Sequence, residues 1–243
     1  MTGQPPPLRA VLFDLGGTLF EPLPRELTER NLLAAVEAAG QPAPDAQALR
    51  SYHELRAEIE TAYAAQSFFL HRDLVIDCFT QFAAHLGWSD ERAAESFFVA
   101  QRATVTTQLR LRDGVVELLG RLRDAGLVCA IVSNIDDDYL LPLLARSGLE
   151  PLLAWALSSE SARSCKPDPE IYRQALQRIG FAPAEVLFVG DSLANDVLGP
   201  ARLGMGTCWL TERASQSEVE LPDDCLVVRR LDTLDGLLGL TVS

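Results

Sequence analysis

Six short apolar runs, far apart and each closed by a polar turn, limit what this chain can fold into. Leu8 to Phe13 runs into Asp14 and then Gly16-Gly17. Leu127 to Val132 ends at Ser133-Asn134, Leu152 to Leu157 at Ser158-Ser159, and Val186 to Val189 at Gly190-Asp191. Gly206 to Leu210 and Cys225 to Val228 complete the series. Successive side chains of a strand point to opposite faces, so a strand with one wet face alternates apolar and polar residues. Continuous runs of Val, Leu, Ile and Phe instead fit parallel strands buried on both faces. The segments between the later runs have helical periodicity. Gly114 to Asp124 stops at Gly126, Asp136 to Arg146 at Gly148, and Pro169 to Arg178 at Gly180. Strand–helix alternation of this kind predicts a doubly wound α/β parallel sheet. Polar and acidic residues collect just after the strands, at the carboxyl edge where open α/β sheets bind ligands.

One stretch breaks the alternation. From about Glu21 to Gln108 no strand is evident, and four segments read as helices: Arg25 to Ala39, Asp45 to Ala65, Asp73 to Leu86 and Asp90 to Leu109. The expected organisation is a core of residues 1–20 and 110–243, with residues 21–109 inserted as a helical lobe. All three histidines (His53, His71, His85) lie in the insertion, so the core has none for a Ser-His-Asp triad.

Composition narrows the partners. With 48% hydrophobic residues in 243, the chain can bury a sizeable core. A net charge of −13 repels nucleic-acid phosphates and anionic membranes. It would repel an anionic substrate too, unless local cations overcome a field that salt screens beyond roughly 10 Å. No apolar run approaches the ~20 residues of a membrane span, and Met1 to Pro7 lacks a basic start and apolar signal core. The five cysteines form no C-x-x-C pair. Cys129, Cys208 and Cys225 sit in apolar runs, and buried, reduced thiols in a cytoplasmic protein are expected.

Four clusters carry chemistry. Asp14, at the end of a buried run and before a glycine turn, is placed as a nucleophile or as the cap of that turn. Ser133-Asn134 offers a hydroxyl and backbone N–H groups to phosphate oxygens, or forms a turn in which Asp136 caps a helix. Lys166 is the only lysine among 21 basic residues and stands just before a helix start. A compact ammonium acts as a point charge beside carboxylates or phosphate, unlike the forked guanidinium used elsewhere in the chain. Gly190-Asp191-Ser192-Leu193-Ala194-Asn195-Asp196 puts two carboxylates in a strand-to-helix turn, suited to Mg2+ or to helix capping.

The order Asp, Ser, Lys, Asp pair, each after a predicted strand, resembles the haloacid dehalogenase superfamily over essentially the whole chain. The insertion resembles that family's helical cap on its Rossmann-like core. The resemblance implies that Asp14 forms an aspartyl-phosphate, that Ser133 and the Asn134 backbone hold phosphate oxygens with Gly17 and Thr18, and that Lys166 balances nucleophile and phosphate charge. It implies Mg2+ held by Asp14, the Gly16 carbonyl and Asp191, with Asp196 as ligand or beside the ligands. The expected substrate is a small phosphorylated molecule; the sequence does not give the oligomeric state.

Gly16 departs from the pattern. Family phosphatases usually carry a second Asp there, which protonates the leaving oxygen and then activates water, a contribution of about 10²–10⁴ in rate. Four readings follow: a phosphatase with another proton source or good leaving groups, a 2-haloacid dehalogenase, a phosphonatase, or a non-catalytic ligand binder. Dehalogenases of the family need no metal, and their last motif usually lacks the Gly-Asp seen at Gly190-Asp191. A phosphonatase would need a cap lysine, and this insertion has none. A pure binder has no chemical need for Asp14, Lys166 and Asp191 together. In the insertion, Arg25, Arg50, His53, Arg56, His71 and Arg72 are candidates for substrate contact or for a solvated helix face. Asp136-Asp137-Asp138 is expected to cap a helix, and Phe68-Phe69 and Phe97-Phe98 to pack within the cap or against the core.

Overall fold

A computed structural model describes residues 7–211 and 220–239. Residues 1–6, over which no export signal is expected, lie outside them. Six strands form one parallel sheet: β1 (Ala10–Phe13), β2 (Val128–Ser133), β3 (Ala156–Ser158), β4 (Val186–Gly190), β5 (Gly206–Leu210) and β6 (Leu226–Val228), in spatial order β3-β2-β1-β4-β5-β6. β1 is central, pairing with β2 on one side and β4 on the other, Phe13 opposite both Ile131 and Val189. That register brings the ends of three strands, and so Asp14, Ser133 and Gly190, to one edge.

The double burial read from the apolar runs is met by alternation. Val11, Phe13, Cys129, Ile131 and Val189 face one core cluster, and Ala10, Leu12, Ala130, Val132 and Phe188 face the other. The insertion supplies α1 (Arg25–Ala38), α2 (Ala46–Ala64), α3 (His71–His85) and α4 (Glu91–Gln108). After them come α5 (Val115–Asp124), α6 (Asp137–Ser147), a short α7 (Ser159–Ala162) and α8 (Pro169–Ile179). Leu118, Leu122, Leu140 and Leu143 of α5 and α6 cover the first face, and Ile171, Tyr172 and Ala175 of α8 the second. A buried Leu or Phe contributes about 1.5–3 kcal/mol relative to exposure, so both layers are needed to hold a sheet apolar on both sides. Helices α6 and α8 end at Gly148 and Gly180, each with φ near +70°, as the sequence predicts.

The cap has its own core, in which Tyr52, Phe79, Phe82 and Phe97 are buried and meet edge-to-face or stacked. Phe97 is thus a cap-core residue, whereas its neighbour Phe98 turns to Tyr139 of α6. Phe68 lies under the Arg163 guanidinium of the core, 4.3 Å from its carbon.

Several expectations are corrected. The strand expected over Leu152 to Leu157 is only Ala156–Ser158, because its first residue still belongs to a 3₁₀ turn, Glu150–Leu152, and the Leu153 N–H donates back to the Glu150 carbonyl. β6 starts at Leu226; Cys225 is held in a turn by its N–H to the Pro222 carbonyl and is half-buried, whereas the other four thiols are buried. Asp136 stands at the N-cap position of α6 but makes no side-chain bond to it. Its two carboxylate oxygens accept instead from the backbone N–H groups of His71 and Arg72, both at 2.8 Å. Helix α3 therefore begins at His71, two residues before the Asp73 start expected, with its cap supplied by the core. Asp138 also turns to the cap, with one carboxylate oxygen 2.5 Å from the Arg102 guanidinium.

Candidate active site

Asp14 follows β1 directly, fixed by its N–H to the Val189 carbonyl at 2.9 Å and only 7% exposed. The chain then turns through Gly16-Gly17. Gly17 has φ +82°, and a Cβ there would lie 2.3 Å from Asp191 Oδ2, so this glycine lets the first and last motifs meet. Gly16 is different: a Cβ there meets nothing within 4 Å. Thr18 is fully buried beneath the loop, and its hydroxyl has no hydrogen-bond partner among the described residues. Arg112, which no local pattern singles out, donates to the Gly17 carbonyl at 2.9 Å.

Ser133 ends β2 and donates its hydroxyl to Asp14 Oδ1 at 3.0 Å. The Asn134 side chain ties two loops together: it accepts from the Lys166 N–H at 2.6 Å and donates to the Lys166 carbonyl at 2.8 Å. Lys166 is 3% exposed; its ammonium donates to Asp14 Oδ1 at 2.6 Å and to Asp196 Oδ1 at 2.7 Å. Burial opposes that charge, but the carboxylates of Asp14 and Asp196 outweigh it and hold the ammonium above its ordinary pKa.

Asp196 is fully buried in a π-helical turn, Leu193–Leu198. Its second oxygen accepts from the Ser192 N–H at 2.9 Å. A Cβ on Gly190 would meet its carboxyl carbon at 2.2 Å, so this glycine makes room for it. Burial, and then the charge of Asp14, push its carboxyl up to about 7 against the pull of Lys166. Tyr172 of α8 braces the turn, donating its hydroxyl to the Asn195 carbonyl. Asp191 stands exposed at the mouth, its carbonyl accepting from the Trp209 indole at 2.9 Å. Partial desolvation and the Asp14 charge raise its pKa. Trp209, next to last in β5 and opposite Gly190, stands at the same sheet edge, the one signal by which sequence could have found it; nothing local marks Tyr172.

Asp14, Asp191 and Asp196 each present a carboxylate oxygen, all within 4.8 Å of one another. Three carboxylates face one ammonium, and hard oxygen donors at this spacing fit a small divalent cation. The Asp196 oxygens are already engaged by Lys166 and Ser192, which leaves Asp191 and Asp14 the freer donors.

Core and cap enclose a cavity of about 800 Å³ over these groups. Arg25, His53, Arg56 and His71 of the cap line it; Arg50 does not, nor does Arg72, which pairs with Glu95 at 2.8 Å.

Three comparisons bear on identity. The family model for haloacid dehalogenase-like hydrolases matches residues 8–204. The chain is 35% identical over 136 residues to (S)-2-haloacid dehalogenase 4A of Burkholderia cepacia, a match covering 56% of this chain and 58% of that protein. It is 27% identical to phosphoglycolate phosphatase 1 of Pseudomonas aeruginosa, covering 84% of this chain and 69% of that one. In fold it is similar to the HAD-hydrolase YfnB of Bacillus subtilis, solved with magnesium bound, with a TM-score of 0.77, 21% identity, and 96% and 100% of the two chains covered. With the doubly wound sheet, the inserted helical cap and these four motifs at one sheet edge, the chain belongs to the haloacid dehalogenase-like hydrolases.

Proposed function

We propose that this hydrolase is a Mg2+-dependent phosphatase, acting on small phosphate monoesters or acyl phosphates through an aspartyl-phosphate on Asp14. The observation that carries this reading is the Asp191 carboxylate beside that of Asp14, in a site with three carboxylates and one ammonium. A metal-free attack on an anionic haloacid would leave Asp191 repelling the substrate, whereas a divalent cation turns the same carboxylate into an anchor. Asp14, the Gly16 carbonyl and Asp191 would hold the ion, with Asp196 beside them. Bound Mg2+ would supply positive charge against phosphoryl oxygens, the main requirement of phosphoryl transfer.

The chain's own residues do the rest. Ser133 and Lys166 fix the Asp14 carboxylate by holding one oxygen, and the other is left to attack phosphorus. The Ser133 hydroxyl, the Gly17 and Asn134 backbone, Thr18 and the Lys166 ammonium would receive phosphoryl oxygens. Asp196 keeps Lys166 charged and in place. The cap, residues 21–109 in this reading, closes the cavity against water over the core of residues 1–20 and 110–243. Without a carboxylate at position 16, leaving groups that depart unprotonated are favoured. The acidic surface argues against nucleic-acid or membrane partners, and a cytoplasmic location fits the free thiols.

The test is phosphate release from phosphorylated metabolites (phosphoglycolate first, given the relatives), acetyl phosphate and p-nitrophenyl phosphate, with Mg2+ or EDTA. Mg2+-dependent release lost in Asp14→Asn is the expected result. Gly16 itself favours a second reading, 2-haloacid dehalogenation, since halide leaves without a proton. Metal-independent chloride release from 2-chloropropionate, with no phosphate release, would replace the first reading by the second.

A further inference from the structure

We propose that the group released from phosphate is an apolar body without a second charge, whose oxygen departs as an anion, and that Leu23, Val105 and Ile135 select it. The substrate class is then an aryl or acyl phosphate, a deepening that rests on the phosphatase reading. The cavity over Asp14 holds about 800 Å³, within the roughly 300–1,000 Å³ of pockets for drug-sized ligands. A phosphoryl group at Asp14 fills a fraction of it, and the walls of the remainder decide what that group carries.

One wall is apolar and begins at the catalytic loops. Leu15 follows Asp14, and Ile135 follows Ser133-Asn134, its N–H donated to the Ser159 hydroxyl at 3.0 Å. Leu23, Val105 and Ile135 are partly exposed, line the cavity and pack against one core cluster together with the buried Leu109 and Leu143. The wall crosses from cap to core and is joined there. The Arg146 guanidinium of α6 donates to the Thr106 carbonyl at 2.9 Å and to the Leu109 carbonyl at the end of α4. Covering apolar surface is favourable in proportion to its area, so an apolar leaving group gains by lying on this wall.

The remaining cap groups give a second anion no partner. His53 is paired with Glu29 and Arg56 with Glu60, both at 2.7 Å. Glu21 and Arg25, of opposite charge, line the cavity as exposed residues, and burial of His71 favours its neutral ring. Gln101 donates to the Thr28 hydroxyl at 2.9 Å and accepts from the Asn31 amide at 2.9 Å, a satisfied and uncharged patch. On the core side three carboxylates face one ammonium. A second carboxylate enclosed here would lose its hydration without gaining a cation. The chemistry at phosphorus agrees with this wall. A carboxylate oxygen of Asp14 bonds to phosphorus, the P–O bond to the leaving group breaks, and its electron pair stays on the departing carboxylate or phenolate. No proton is required at position 16, where the space is open.

The test is kcat/KM with Mg2+ for acetyl, butyryl and benzoyl phosphate, whose leaving acids differ little in acidity, and for phenyl and 4-carboxyphenyl phosphate. Values are expected to rise about fourfold per methylene from acetyl to butyryl phosphate. They are expected to be about tenfold or more lower for 4-carboxyphenyl than for phenyl phosphate, although the carboxylated phenol is the better leaving group. Val105→Asn is expected to bring the butyryl-to-acetyl ratio to about one. The larger acceleration over spontaneous hydrolysis, of benzoyl or of phenyl phosphate, tells the acyl from the aryl source, and either supports the proposal. A wild-type butyryl-to-acetyl ratio of about one or less, or a preference for the carboxylated ester, would overturn it, as would a wild-type ratio persisting in folded Val105→Asn. Should that variant not fold, the two wild-type series decide. Phosphate release from none of these substrates refutes the phosphatase reading itself, whereas turnover indifferent to chain length and charge refutes the proposal alone.

Discussion

Replacing Lys166 with methionine keeps the aliphatic stem and removes the cation that, among the described residues, alone pairs with the buried carboxylates of Asp14 and Asp196. The ammonium is 2.6 Å from Asp14 and 2.7 Å from Asp196, with the lysine 3%, Asp14 7% and Asp196 0% exposed, so water cannot take over its role. Removing one member of a buried ion pair costs about 3–5 kcal/mol, because the partner is left uncompensated. Two partners are stranded here, which places Lys166→Met at the upper end of that range. With a urea m-value of about 2–3 kcal/mol/M for a chain of this size, the unfolding midpoint should fall by about 2 M. The assay is urea unfolding in EDTA, so that no cation substitutes for the ammonium. The pH dependence supplies an internal check. Burial already raises the Asp196 carboxyl against the pull of Lys166, and without the ammonium it is raised further, so the cost of stranding it is full at high pH and shrinks as pH falls through its folded value. The deficit relative to wild type should therefore narrow between about pH 8 and about pH 5. An unchanged midpoint at neutral pH, or a deficit that widens on acidification, would refute the reasoning.

Three further outcomes follow from other contacts. Gly17→Ala places a Cβ 2.3 Å from Asp191 Oδ2 at a φ of +82°; it should cost about 1–2 kcal/mol and weaken Mg2+ binding by calorimetry, while Gly16→Ala, with open space around it, should do neither. Asp136→Leu removes the cap of α3 and should cost about 1–2 kcal/mol, read as faster hydrogen exchange at residues 71–74; unchanged exchange would show that the core does not hold that helix. Cys78, Cys129 and Cys208 are buried, and burial pushes their thiols up to about 12; they should resist iodoacetamide at about pH 8 until the protein unfolds, since the thiolate is the nucleophile. Rapid labelling of native protein would contradict the packing.

Sequence by itself determined the architecture and the motif residues. Runs such as Val186 to Val189, apolar without alternation, can only be buried on both faces, and a parallel sheet follows from that period alone. Asp14, Ser133, Lys166 and Asp191 were legible because each sits just past such a run or before a helix start, where chain geometry aims polar groups at the sheet edge. Local signals of this kind act over a few residues. What the tertiary structure decided lies beyond that range. Asp136 reads as the cap of the helix after it, yet its carboxylate is satisfied by His71 and Arg72, some 65 residues earlier. Lys166 reads as a lone cation, and only packing shows it shared between Asp14 and Asp196. The different demands on Gly16 and Gly17 are invisible in a Gly-Gly pair, because the Asp191 carboxylate that forbids a Cβ at one and not the other comes from the turn after β4, distant in sequence but beside β1 in the sheet. Periodicity is written in neighbouring residues, whereas the partner of a buried polar group is chosen by whichever element packs against it, and that is settled only when the sheet and cap close together.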